Sequence, residues 1–124
     1  MSSILILNIL RDPRRAPLFK KFVSRMGATN QLGLWIFITQ YEKEPSIEKR
    51  EAYATALLKR FVLRDAANYV YVEEATLWEI KENWSNFHAD MFCKLKTAAI
   101  DYLVEEVLPL FSKFGMLEDG RMGF

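Results

Sequence analysis

Apolar residues in this chain recur at intervals of three and four, the spacing that places side chains on one face of an α-helix. Phe19, for example, precedes Phe22 by three residues and Val23 by four. Pro17 stands where a first-turn N–H would have no helical partner, and Gly27 follows where a helix can end in the left-handed conformation. Proline and glycine therefore mark helix ends here rather than hairpin turns.

One short run has the alternating pattern of a β-strand. The residues are Tyr69, Val70, Tyr71 and Val72, between Asn68 and Glu73. Four residues without a partner strand elsewhere in the sequence cannot form a sheet. We therefore predict an extended connector between helices.

The remaining segments carry helix signals. Predicted N-caps are Thr29 or Asn30, Ser46, Thr76 as part of a capping box with Glu79, and Asp90. Pro109 should either kink the last long helix or divide it from a short final one, because proline lacks a backbone donor and crowds the preceding turn. The sequence predicts an all-α bundle of seven to nine helices.

Size and composition favour one domain spanning residues 1–124, with a mobile tail over residues 116–124. The chain has 124 residues, of which 51% are hydrophobic and 14% aromatic, enough for one hydrophobic core and too apolar for disorder. The apolar run from Ile4 to Leu7 is too short to span a membrane. A single cysteine, Cys93, forms no internal disulfide, so we expect a cytoplasmic protein, recruited to a membrane if its basic segment binds one.

Charge is unevenly distributed along the chain. The net charge is only +1, which argues against a nucleic-acid partner. Residues 1–25, however, contain six basic side chains and one acid, whereas the remainder contains eleven basic and fifteen acidic side chains. The six are Arg11, Arg14, Arg15, Lys20, Lys21 and Arg25. Either they form an ordinary solvated face, or they attract an acidic membrane surface or an acidic protein.

No residue pattern indicates an active site, so we expect no catalytic residue, metal or cofactor. The single histidine, His88, lacks further ligands or an acid–base partner nearby in sequence, and is expected in a turn between helices. Cys93 follows Phe92 and is expected to face at least partly inward rather than to act as a nucleophile. With one histidine and one cysteine, a small helical enzyme is the least favoured interpretation.

The order of the hydrophobic residues is more specific than their periodicity. The segments that carry it are Ile9-Leu10-Arg11-Asp12-Pro13, Leu18-Phe19-Lys20-Lys21-Phe22-Val23, Leu32-Gly33-Leu34-Trp35, Tyr41, Phe61, Ala66, Val70-Tyr71-Val72, Phe92 and Phe111. This order resembles the regulator-of-G-protein-signalling (RGS) homology domain over about residues 4–114. The resemblance implies the same helical bundle.

The resemblance also implies a partner, the GTP-bound form of a heterotrimeric G-protein α subunit (Gα). Such a domain is not an enzyme; it holds the arginine and glutamine of Gα in their transition-state arrangement. The candidate contact positions are Asn30, Gln31, Tyr71, Tyr102, Glu106, Val107 and Leu110. Gln31 keeps the amide, and Glu106 the negative charge, that the family usually carries at these positions. Tyr71, however, replaces the usual connector asparagine. We expect weak or subtype-restricted GTPase activation, or else a catalytically silent scaffold that binds another protein or a membrane.

Overall fold

Helices dominate the computed structural model, which describes residues 2–114 and the side chains of residues 4–114. The predicted mobile tail lies outside the described residues. The α-helices are α1 (Ser2–Arg11), α2 (Arg15–Arg25), α3 (Thr29–Lys43), α4 (Ile47–Leu57), α5 (Glu74–Glu82), α6 (Cys93–Tyr102) and α7 (Leu108–Phe114). Two π-helical segments, Leu58–Val62 and Leu103–Val107, continue α4 and join α6 to α7. The all-α prediction is confirmed, but the described residues form six continuous helical stretches, slightly fewer than the predicted seven to nine.

Pro109 explains part of that difference. The helix neither breaks nor separates before it, because the π-helical turn Leu103–Val107 continues directly into α7. Within this turn the N–H of Leu108 donates to the carbonyl of Leu103, five residues earlier. A wider turn relieves the crowding that proline imposes on an α-helical backbone, so one helical stretch runs from Cys93 to Phe114.

Two of the predicted helix ends have the expected chemistry. After α2, the N–H of Gly27 donates to Ser24 and that of Ala28 to Val23, and Gly27 has a φ of 71°, which together form a Schellman motif. The hydroxyl of Ser46 accepts from the N–H of Lys49 at the start of α4.

Two other predicted helix starts are displaced. The prediction of a capping box at Thr76 is wrong. Helix α5 already begins at Glu74, and the side chain of its N-cap residue, Glu73, makes no capping hydrogen bond. Helix α6 begins at Cys93, whose N–H donates to the backbone carbonyl of Asp90.

The described residues form two compact units, each with its own core. The first unit contains residues 2–32 and 100–114. In it, α1 packs against α2 and against the segment Leu103–Val107. The ring of Phe111 meets Phe19 and Phe22 edge to face, with centroids 5.1 and 5.7 Å apart. The other buried side chains of this unit are Ile6, Ile9, Val23, Ala28, Leu32, Ile100, Leu103 and Val107.

The second unit, Gly33–Ala99, is organised around Tyr41. This side chain is fully buried, its ring lies edge to face with Phe92 at 5.0 Å, and its hydroxyl donates to the carbonyl of His88 at 2.7 Å. Burial raises the pKa of the Tyr41 phenol, although the positive charge of Arg50 opposes the shift. Arg50 in turn donates to the carbonyl of Phe87 at 2.8 Å. The two hydrogen bonds fix the segment between α5 and α6.

Helices α3 and α4 each carry exposed apolar side chains as well as buried ones. Helix α3 buries Leu34, Trp35 and Ile38 but leaves Ile36 exposed. Helix α4 buries Ala54 and Leu57, whereas Ala52 and Ala56 are exposed.

Candidate functional site

Four of the predicted contact residues lie on the helical stretch that ends the first unit. Tyr102, Glu106 and Leu110 are exposed and follow each other at intervals of four residues, which keeps them on one side of the helix. The neighbouring stripe of Leu103, Val107 and Phe111 is buried. Because Val107 is fully buried in that stripe, its predicted contact role needs correction: its side chain packs in the core and is not available to a partner.

Two further predicted residues lie in the first turn of α3. Asn30 and Gln31 are both half-buried. The side-chain carbonyl oxygen of Gln31 is shielded from solvent and has no hydrogen-bond partner within the described residues. A buried acceptor without a hydrogen-bond donor is costly to the folded state.

Tyr71 lies in the second unit, on a connector that follows the π-helical segment Leu58–Val62. The connector is held by two backbone hydrogen bonds, from Asn68 to the carbonyl of Arg60 and from Val70 to that of Phe61. Successive side chains of an extended backbone point to opposite sides. Val72 is accordingly buried, whereas Tyr71 is 75% exposed. The extended connector predicted from the sequence is confirmed.

One protein family matches the sequence that forms these helices and this connector. The sequence model of the regulator of G protein signaling domain matches residues 6–116. The chain belongs to the RGS family. A comparison with curated proteins returned no match. RGS domains in general bind Gα subunits and act on them as GTPase activators rather than as enzymes.

The predicted basic residues of this RGS domain are all exposed in the first unit. They lie at the end of α1, in the link to α2 and along α2, as follows: Arg11, Arg14, Arg15, Lys20, Lys21 and Arg25. The only acid in that stretch, Asp12, accepts from the backbone N–H of Arg14 at 2.8 Å and from Nε of Arg15 at 3.0 Å. The carboxylate of Asp12 is therefore hydrogen-bonded within the link between α1 and α2.

We expect the Asp12 carboxyl group to titrate below its usual pKa of 3.8. The N–H of Arg14 lowers this pKa most, followed by the hydrogen bond from the Arg15 side chain. Because the folded pKa lies below the unfolded one, the stabilisation is complete above about pH 4 and is lost as the pH falls through the folded value. The carbon-13 shift of the carboxyl carbon, followed by NMR, gives the midpoint. A midpoint at or above 3.8 would contradict the hydrogen bonds in the link.

The structure places His88 and Cys93 around one depression of the second unit. Its volume is about 250 Å³, and its lining includes Glu79, Asp90 and Lys94. His88 lies between α5 and α6, as predicted, but Cys93 is exposed, contrary to the prediction that it faces at least partly inward. It stands in the first turn of α6, beside the buried Phe92 rather than in its stripe. Within residues 2–114 no group of three or more histidine, cysteine, aspartate or glutamate side chains is placed to hold a metal.

Sequence inspection missed one exposed apolar surface on this RGS domain. Trp78 on α5 is 59% exposed, with the ammonium group of Lys81 5.0 Å from its ring centroid, and Leu77 is also exposed. Only Ile80 of this helix is buried. Which side of α5 faces the core depends on packing with the rest of the unit, which the sequence pattern of this helix does not indicate.

Proposed function

We propose that this domain binds the GTP-bound, activated form of a Gα subunit and accelerates its GTP hydrolysis weakly or for a restricted set of Gα subtypes. The observation that carries the proposal is the family match over residues 6–116. Two exposed or partly exposed polar groups support it: the amide of Gln31 and the carboxylate of Glu106. They stand at positions where, by resemblance, RGS domains contact Gα.

The domain would act by positioning. Hydrolysis of GTP by Gα uses the arginine and glutamine of Gα itself, which must be aligned with the γ-phosphate and the attacking water. In this proposal, the side-chain amide of the half-buried Gln31 hydrogen-bonds to a Gα switch segment, and Glu106 contributes a charged acceptor between Tyr102 and Leu110. These contacts strengthen in the transition state and therefore lower the barrier.

Tyr71 accounts for the expected weakness. By resemblance, the connector position usually carries an asparagine, whose amide reaches a Gα threonine or the catalytic glutamine. The hydroxyl of Tyr71 lies several ångströms further from the backbone on a rigid ring, so it cannot make the same bond. Loss of one pre-organised hydrogen bond commonly costs about 3 kcal/mol of transition-state stabilisation.

The second candidate is a scaffold that uses the RGS fold without stimulating hydrolysis. By resemblance, Asn30 stands where the family usually carries a glutamate, and Leu110 where it usually carries an arginine. These two replacements favour the scaffold, together with Tyr71 and the burial of Val107. In this case the partner would be another protein or a membrane surface. The two candidates differ in one measurable property, which is affinity for the transition-state form of Gα.

Binding to a panel of Gα subunits, each loaded with GDP, Mg²⁺ and aluminium fluoride, separates these candidates. We expect saturable binding to at least one subunit, weaker binding to its GDP form, and at least a fivefold loss of affinity in Glu106→Ala. Glu105→Ala is the matched control, because Glu105 is also an exposed acid, one residue away. Absence of binding to every member of the panel would refute the proposal, as would equal losses in the two variants.

A further inference from the structure

Helix α1 presents large aliphatic side chains to solvent as well as to the core. Ile6 and Ile9 are buried, whereas Ile4 and Leu5 are 52% and 51% exposed. Arg11, seven residues after Ile4, lies two turns further along the same side of the helix and is exposed. An exposed side of α1 thus combines two aliphatic residues with a cation.

The adjoining helix α2 extends this surface with positive charge. It turns Phe19, Phe22 and Val23 into the core of the first unit, and it packs against α1. Its outward side carries Lys20 and Lys21, both exposed. The two helices and their link form what we call the α1–α2 face, defined by Ile4, Leu5, Arg11, Arg14, Arg15, Lys20, Lys21 and Arg25.

Negative charge is almost absent from the chain segment that builds the α1–α2 face. Between residues 4 and 25 the only acid is Asp12, and hydrogen bonds from Arg14 and Arg15 occupy it. The segment that builds the face therefore carries six basic side chains and one acid, in a protein whose net charge is only +1.

From this arrangement we propose that the α1–α2 face docks the domain on the surface of an anionic lipid bilayer. Basic side chains beside exposed aliphatic ones are the combination that binds the boundary between headgroups and acyl chains. A single-stranded nucleic acid would require aromatic rings for base stacking, and the only aromatic residues of this segment, Phe19 and Phe22, are buried. No described helix is long and apolar enough to cross a bilayer.

Vesicle flotation of the full chain tests this proposal without any Gα present, so its outcome is independent of the proposed function. We expect the chain to float with phosphatidylcholine vesicles that contain about 30% phosphatidylserine and not with pure phosphatidylcholine. Raising the salt from about 0.1 M to about 0.5 M should release it, since screening shortens the reach of the charges. Each basic residue near the surface strengthens binding about fivefold, so Lys20→Gln with Lys21→Gln should weaken it about 25-fold.

The matched control is the double variant Lys43→Gln with Lys59→Gln. Both lysines are exposed, both lie outside the α1–α2 face, and the change in net charge is the same. We expect this control to retain affinity within about twofold, and Ile4→Gln with Leu5→Gln to lose about tenfold. The proposal fails if neither vesicle is bound at low salt, if the two lysine pairs lose affinity equally, or if polyglutamate competes for the chain while the anionic vesicles do not bind it.

Discussion

Replacing Phe111 with alanine is expected to lower the free energy of unfolding by about 3–5 kcal/mol, which is the cost of removing a large aromatic side chain from a packed core. Phe111 is only 9% exposed, and its ring meets two other phenylalanine rings in the first unit. A domain of ordinary stability, about 5–15 kcal/mol, would lose a large share of its margin. Urea unfolding followed by far-ultraviolet circular dichroism measures the change.

Phe114→Ala is the control for this prediction. Phe114 lies on the same helix, has the same side chain and is 42% exposed. Its replacement should cost less than about 1 kcal/mol, since surface substitutions rarely cost more. Similar losses in the two variants would contradict the core of the first unit as described.

Replacing Tyr71 with asparagine is expected to raise the domain-stimulated rate of GTP hydrolysis by Gα tenfold or more. Asparagine restores the short amide that the resemblance assigns to this connector, and one such hydrogen bond is worth up to about 3 kcal/mol, or roughly a hundredfold in rate. The side chain is 75% exposed, so the exchange leaves the buried Val72 and the backbone hydrogen bonds of the connector in place. Single-turnover hydrolysis by a responsive Gα measures the rate.

Tyr71→Phe is the control that separates the effect of adding an amide from the effect of removing the tyrosine hydroxyl group. This variant keeps the rigid ring and should leave the rate within about twofold of the unmodified domain, because the tyrosine hydroxyl contributes no catalytic contact in this account. The interpretation of Tyr71 would be wrong if Tyr71→Asn bound Gα normally but showed no gain in rate, or if both variants gained equally.

Local backbone chemistry made much of the fold predictable. Gly27 and Ser46 act through hydrogen bonds to residues within five positions, so the sequence alone indicates the helix ends that they form. Tyr69–Val72 could be recognised as a connector because no second strand is present to pair with it. Features that depend on residues close together in the sequence, such as helix ends and short connectors, can therefore be predicted from sequence patterns.

Choices that depend on packing were not predictable. Val107 lies in the buried stripe with Leu103 and Phe111, whereas its neighbours Glu106 and Leu110 are exposed. Family order alone had grouped all three as contacts. The exposure of Cys93 likewise depends on where α6 begins, which the preceding turn sets rather than the helix sequence itself.

The most direct test of the account is single-turnover GTP hydrolysis by each Gα subunit of the panel, with and without the unmodified domain. We predict that at least one subunit responds with a saturable acceleration, that the domain binds this subunit most tightly in the aluminium-fluoride form, and that Tyr71→Asn increases the acceleration. A domain that leaves every hydrolysis rate unchanged and binds no transition-state form would contradict the assignment of Gα as its partner.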